Sequence, residues 1–142
     1  MSPSRKANRK GGPDTRPSTR LSASQAKKFL ATYKEAWETH NPELASQLFT
    51  RDAEYRADTF SKPIVGREGI CHYWHSASRG QEEIHFKVHS MFRTGYTLTA
   101  EWSCLYRHRR TAERRELKGS LFAEFYGAQV RNFRAYWERR TL

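Results

Sequence analysis

In the first half of the chain, apolar side chains recur three or four positions apart, which is the spacing of amphipathic helices. With Ser22 or Ser24 as N-cap, a first helix is predicted from one apolar series: Ala26, Phe29, Leu30, Tyr33, Ala36 and Trp37. It is expected to end near His40, and Asn41 with Pro42 is expected to begin a second helix. That second helix is predicted to bury Leu44, Ala45, Leu48 and Phe49.

A short strand is predicted at 53–57, and a third helix from Arg67 to Gly80 on the spacing of Ile70, Tyr73, Trp74 and Ala77. After Gly80 the period changes to two, as in strands that bury one face. The first long strand is predicted to bury Ile84, Phe86, Val88 and Phe92. The next strands are predicted to have alternate residues of 96–106 and 117–125 on one apolar face, and in the last strand Phe133, Ala135 and Trp137 share a face.

Three helices followed by a meander of long strands indicate the α+β class. Each long strand has one apolar face, so we expect the helices to cover the sheet on that side. Because long strands twist and curl, the pattern predicts a cone-shaped, curved sheet packed on three N-terminal helices, with a pocket at its wide end. The folded domain is predicted to span residues 21–142.

Residues 1–20 differ in composition from the rest of the chain. They carry six Arg or Lys against one Asp, three Pro and no aromatic residue, in a protein whose net charge is +11. Such a segment cannot offset its ordering entropy by burial, so it is predicted to be a disordered basic tail. A solubilising role is favoured, and the alternative is a contact with RNA, DNA or an acidic membrane.

The chain has no apolar run of roughly 20 residues and no secretory signal at its start. We therefore expect a soluble, cytoplasmic protein that does not enter the membrane. The cysteines Cys71 and Cys104 are expected to be reduced and to act as small buried apolar residues. Two histidine pairs have the spacing of metal ligands, but no third ligand stands nearby, so neither a metal nor a cofactor is predicted: His72 with His75, and His85 with His89.

Several short stretches carry a family resemblance: Tyr33–Trp37, Leu48–Ala53, Pro63–Ile70 followed by Tyr73 and Trp74, and Phe133–Trp137. In this order and spacing they resemble the nuclear transport factor 2-like superfamily, which includes ketosteroid isomerases, SnoaL-like polyketide cyclases and limonene epoxide hydrolases. The resemblance covers about residues 24–140 and implies the α+β cone. It implies no particular reaction, because fold does not determine function.

The resemblance to ketosteroid isomerases implies a tyrosine that donates a hydrogen bond to an oxyanion, and Tyr33 takes this position. The general base of these enzymes is an Asp after the first strand. Ungapped counting from Asp52 and Ala53 reaches Ala57, and Asp58 is one residue later. The second oxyanion donor of these enzymes is a protonated Asp, and Leu121 occupies its position here, so this donor is absent. The positions that bind water in the epoxide hydrolases read Trp102, Cys104 and Ala135, which argues against that chemistry. The implied reaction is proton abstraction beside a carbonyl, with Asp58 as base and Tyr33 as donor.

Aromatic residues make up 13% of the chain, and several of them are expected to line the pocket. A pocket with mostly aromatic walls suits a small, largely apolar ligand. The predicted ligand-binding residues are Trp37, Tyr55, Trp74, Trp102, Cys104 and Tyr106. The alternative is that these side chains simply fill the cone.

A second function stays open, that of a non-catalytic dimeric interaction module. Its basic tail and the basic hairpin tip at 107–115 would bind an acidic partner such as RNA. The alternative for the tip is a solvated charged turn. In relatives the outer sheet face often forms a homodimer, and the resemblance implies the same here, where Phe122 and Tyr136 stand among charged residues.

Overall fold

Three helices lie in the first half of the described chain, as the apolar spacing predicts. The computed structural model describes residues 20–142, and its helices are α1 Ala23–Glu38, α2 Pro42–Ser46 and α3 Arg67–Ser78. The Ser22 Oγ accepts a hydrogen bond from the Gln25 N–H, and the Gln25 side chain accepts one from the Ser22 N–H, so a capping box starts α1. The predicted tail, residues 1–20, lies outside the described residues apart from Arg20.

Six strands form one curved, open sheet. They are β1 Phe49–Arg56, β2 Ile64–Val65, β3 Gln81–Thr94, β4 Thr97–His108, β5 Arg114–Tyr126 and β6 Gln129–Thr141. Their order in the sheet is β2-β1-β6-β5-β4-β3. The four long strands form the predicted antiparallel meander, and β1 pairs in parallel with β6. The predicted α+β fold, a mixed curved sheet with helices on one side, is confirmed.

The second helix is shorter and β1 begins earlier than the sequence predicts. α2 ends at Ser46, and Phe49 is already in β1, paired with Val130 of β6. The Val130 N–H donates to the Leu48 carbonyl at 2.8 Å, which fixes the chain in an extended state just after the helix. Phe49 is fully buried as predicted, but by the sheet rather than by α2.

Phe92 is the one residue of the predicted β3 core series that lies on the wrong face. The pairing of β3 with β4 shifts register between Val88 and Ser90, which places one extra residue in β3. Beyond this bulge the alternation is reversed, so Met91 pairs with Ala100 and packs on the core. Phe92 turns outward and is 65% exposed.

The concave face of the sheet packs against α1 and α3. β4 alternates as predicted, and its inward residues are all buried: Leu98, Ala100, Trp102, Cys104 and Tyr106. The helices contribute Phe29, Tyr33, Ile70 and Trp74 to the same core. No helix within residues 20–142 is both long and apolar enough to cross a bilayer.

Two side chains of α1 bind the backbone of β3. Lys34 Nζ donates to the Phe86 carbonyl at 2.7 Å and to Glu38 Oε2 at 2.6 Å. The same Glu38 oxygen accepts the Phe86 N–H at 2.8 Å. Partial burial opposes ionisation of Glu38, but the hydrogen bonds from Lys34 and Phe86 hold its pKa below the usual value. The ionised pair therefore fastens α1 to this strand.

Candidate functional site

A cavity of about 380 Å³ lies between the concave sheet face and the helices α1 and α3. This volume is within the usual range for small-molecule sites. Some lining residues are also exposed to solvent, and they mark the mouth of the cavity: Ser76, Ala77, Trp137 and Arg139. The cone is therefore open at one end rather than packed solid.

Most of the predicted ligand-binding residues line this cavity: Trp37, Tyr55, Trp74, Trp102 and Tyr106. Tyr33, the predicted donor, lines it as well. Cys104 does not. It shares the inward face of β4 with Trp102 and Tyr106, but its short side chain is fully buried and does not reach the cavity. Burial raises the pKa of its thiol to about 12, so it is uncharged.

Three tyrosines bring their hydroxyl groups together at the cavity. Burial raises the pKa of Tyr33 above its usual value, and the neighbouring Tyr73 adds to this effect. Burial also raises the pKa of Tyr55, and the neighbouring Tyr33 and Tyr73 add to this effect. The pKa of Tyr73 is raised by burial and by the charge of Asp58. All three hydroxyls therefore stay protonated and can donate hydrogen bonds.

The aromatic walls hold one another in place by edge contacts. The ring centroid of Tyr33 lies 5.1 Å from that of Trp74 at an interplanar angle of 87°, and those of Trp37 and Trp102 are 5.8 Å apart. Trp37 Nε1 donates to Gln81 Oε1 at 2.8 Å. Trp102 Nε1, in contrast, is buried and has no hydrogen-bond partner within residues 20–142. An unpaired buried donor is costly, so a ligand acceptor at this point would stabilise the site.

Asp58, the predicted base, is exposed and is not among the described residues that line the cavity. Its carboxylate accepts hydrogen bonds from Ser61 Oγ at 2.7 Å and from the Phe60 N–H at 3.3 Å, so it caps its own loop. Ala57, the alternative position, does line the cavity. Its carbonyl accepts the indole N–H of Trp137 at 2.9 Å, which ties the loop to β6.

Basic residues at the mouth were missed by the sequence analysis. Arg115, Arg139 and His108 line the cavity, and no Asp or Glu of the described chain does. The predicted hairpin tip at 107–115 includes Arg115, but β5 begins at Arg114, so the Arg115 side chain shares the inward face with Leu117. The alternation that placed Leu117 inward extends by one step to Arg115 and could have revealed it.

The remaining chemical candidates lie apart from the cavity or have structural partners. No three His, Cys, Asp or Glu side chains within residues 20–142 are grouped so that they could hold a metal ion. Both cysteines are free thiols. At the hairpin, Arg107 pairs with Glu82 and Glu83, and Arg114 pairs with Glu83, which lowers the positive charge that the sequence predicts there. RNA binding by this hairpin stays a prediction.

The outer face of the sheet presents a small aromatic pair. The rings of Phe122 and Tyr136 meet edge to face with centroids 6.0 Å apart, and the Arg134 guanidinium lies 5.2 Å from the Phe122 ring. Arg134 also donates to Glu124 at 2.6 Å. The pairing of two chains through this face stays a prediction.

Comparisons with known proteins bear on the fold. The family model described as a SnoaL-like domain matches residues 30–139. No curated protein matches the chain. A ketosteroid isomerase-like protein from Catenulispora acidiphila, solved with trimethylamine, has 18% identity and a TM-score of 0.70 over 77% of this chain and 84% of its own.

Two further solved structures are similar. A SnoaL-like polyketide cyclase candidate from Shewanella denitrificans has 16% identity and a TM-score of 0.69, with 80% of this chain and 90% of its own covered. An epoxide hydrolase of the limonene type from M. tuberculosis has 14% identity and a TM-score of 0.67. The similarity covers 81% of this chain and 84% of the hydrolase. At such identities these structures establish a shared fold, and the residues of the cavity carry the functional argument.

Proposed function

Since the chain belongs to the SnoaL-like domain family, we propose that it binds a small, largely apolar molecule inside the cone. The observation that carries this proposal is the open cavity of about 380 Å³, whose walls are formed mainly by Trp, Tyr and small residues. Aromatic walls supply apolar contact area, while protonated tyrosine hydroxyls and the unpaired Trp102 N–H supply a few oriented donors. A ligand with one acceptor group on an apolar skeleton fits this arrangement.

Ligand binding is expected to depend on access through the mouth. A screen of steroids, polyketide-like aromatics, fatty acids and terpenoids by thermal shift would identify a ligand, because binding to the folded state raises the unfolding midpoint. Ala77 lies exposed at the mouth on α3. Ala77→Trp should block entry and weaken binding about tenfold or more, which is a loss of about 1.4 kcal/mol. Titration of the intrinsic tryptophan fluorescence measures the affinity.

The matched control for this test is Ala31→Trp. Ala31 is an exposed alanine on α1 that does not line the cavity. The Ala31→Trp variant should therefore bind the ligand with unchanged affinity. Equal weakening in both variants, or no saturable binding by any ligand class, would contradict a function inside the cone.

A catalytic form of this function uses the two residues that the family resemblance indicates. Tyr33 offers a protonated hydroxyl to a developing oxyanion in the cavity. Asp58 directly follows Ala57, a lining residue, so it stands near the cavity wall although it caps its own loop. In this proposal the loop releases the carboxylate from Ser61, and Asp58 removes a proton beside the ligand carbonyl.

Asp58→Asn tests the catalytic form. With a bound ketone, exchange of the protons beside its carbonyl for deuterium is followed by NMR. The rate should fall about 100-fold or more in the variant, as expected for loss of a general base. Asp52→Asn is the control, since Asp52 is exposed and contacts Arg131 and Thr50. Unchanged exchange in Asp58→Asn would remove Asp58 from the mechanism and leave ligand binding intact.

A further inference from the structure

The charged groups that line the cavity are all of one sign. These charges are the guanidinium groups of Arg115 and Arg139, and no carboxylate of residues 20–142 lines the cavity. The deeper walls are aromatic and uncharged, so the positive charge is confined to the end near the mouth. An apolar cavity with cations at its opening matches a molecule that is apolar at one end and anionic at the other.

The strand register places the two arginines side by side. Leu117 of β5 pairs with Arg139 of β6, and Arg115 pairs with Tyr106 of β4. Arg115 and Leu117 share a face because they are two residues apart in a strand. Arg115 and Arg139 are therefore diagonal neighbours across β5 and β6, and residues in this relation lie roughly 7–8 Å apart, with their Cβ atoms somewhat closer. Long guanidinium side chains at that separation can reach one small anion.

Neither arginine is fully used by the protein. The side chain of Arg139 has no ion-pair or hydrogen-bond partner among the described residues. One terminal nitrogen of Arg115 donates to Glu113 at 2.8 Å and the side chain also interacts with Tyr106, but its Nε is buried and has no partner within residues 20–142. The neighbouring Arg140 is different, since it is held by Glu116 at 2.6 Å. The free donors are thus on the side of the sheet that faces the cavity.

His108 adds a donor at the same end. Its Nδ1 accepts a hydrogen bond from the Thr111 N–H at 3.3 Å, so the neutral ring carries its proton on Nε2. Nε2 points toward Gly80, another lining residue, since a Cβ built on Gly80 would lie 3.8 Å from it. The imidazole can therefore donate into the mouth without becoming charged.

We infer that the cavity takes an amphipathic carboxylic acid, with its carboxylate at the mouth between Arg139 and Arg115 and its apolar body among Trp37, Trp74 and Trp102. This inference rests on the proposed binding function and names the class of ligand. A carboxylate presents two oxygens that match the fork of a guanidinium. The apolar body excludes water from the aromatic walls, and the ionised end stays near solvent, where its desolvation is small.

The test uses pairs of ligands that differ only in the charged group: naphthoic acid with naphthalenemethanol, and geranic acid with geraniol. Dissociation constants are measured on the full chain by tryptophan fluorescence at neutral pH. The acid of at least one pair should bind about tenfold more tightly than its alcohol, as expected for hydrogen bonds to a charged group. Arg139→Gln should lower the affinity for the acid far more than that for the alcohol and so remove most of this preference.

Arg140→Gln is the matched control, because it removes the same charge one residue away from a side chain held by Glu116. It should keep the full preference for the acid. Equal affinity for acid and alcohol would overturn the inference and leave the proposed binding function standing. A preference lost equally in both variants would also overturn it, because general attraction to a basic protein would then explain the result. Binding of no member of either pair, nor of any ligand in the wider screen, would instead contradict the binding function itself.

Discussion

Replacing Phe133 by alanine is expected to destabilise the protein by about 3–5 kcal/mol, the usual cost of removing a buried phenylalanine ring. Phe133 lies on β6 and is 1% exposed. Its ring stacks on Tyr55 with centroids 4.8 Å apart and an interplanar angle of 6°, and it meets Phe49 edge to face at 5.8 Å. The alanine would leave a void that these rigid strands cannot close. A total stability of about 5–15 kcal/mol is typical of such domains, so the variant should be close to unfolding.

Urea denaturation followed by circular dichroism measures this loss. The urea concentration at the midpoint should fall. The slope of the free energy of unfolding against urea concentration should stay the same if the unfolded state is unchanged. Phe60→Ala is the matched control, since the ring of Phe60 is 97% exposed and its removal should change stability by less than about 0.5 kcal/mol. Similar losses in the two variants would mean that Phe133 is not packed as described.

Gly119→Ala is expected to cost about 3 kcal/mol or more, although it adds only one methyl group. Gly119 lies in β5, opposite Trp137 of β6. A Cβ built on it would lie 2.1 Å from the carbonyl oxygen of Tyr136 and 2.7 Å from the Cβ of Trp137. The first of these atoms is backbone and cannot rotate away, so β5 and β6 would have to separate locally. Glycine here permits a close approach of two strands.

Gly80→Ala is the control for that experiment. The nearest atom to a Cβ at Gly80 is His108 Nε2 at 3.8 Å, which is ordinary contact, so stability should change little. Both unfolding free energies come from the same urea titrations. If Gly119→Ala were as stable as Gly80→Ala, the close approach of β5 to β6 at this point would be wrong.

The periodicity of the sequence predicts most of the fold, because the burial of one face of a helix or strand determines the spacing of its apolar residues. In β4 the inward residues from Leu98 to Tyr106 are predicted correctly, since a strand with one buried face must alternate. α1 starts at Ser22 because a serine followed three residues later by Gln25 forms a capping box, which is a local signal. The aromatic cavity walls follow from the same alternation and helical spacing.

The predictions from the sequence are wrong where contacts between distant residues determine the position of a side chain. The bulge in β3 that exposes Phe92 depends on how β3 pairs with β4, and no local pattern marks it. The position of Asp58 depends on a loop whose course is set by its own hydrogen bonds and by the bond from Trp137 to Ala57, which are 80 residues apart. Arg139 continues the alternation of Ala135 and Trp137 by one step, but it lies beyond the last apolar residue of β6, and its pairing with Leu117 shows that it faces inward.

The hydrogen bonds between α1 and β3 have a consequence for how this sheet can associate. β3 is the last strand on its side, where unpaired backbone groups would ordinarily invite another strand to add. Lys34 and Glu38 already occupy the outward N–H and carbonyl of Phe86. The opposite border is β2, which is two residues long and offers little to pair with. An incoming strand would first have to displace a charged pair at Phe86, so this part of the β3 border resists the addition of another strand.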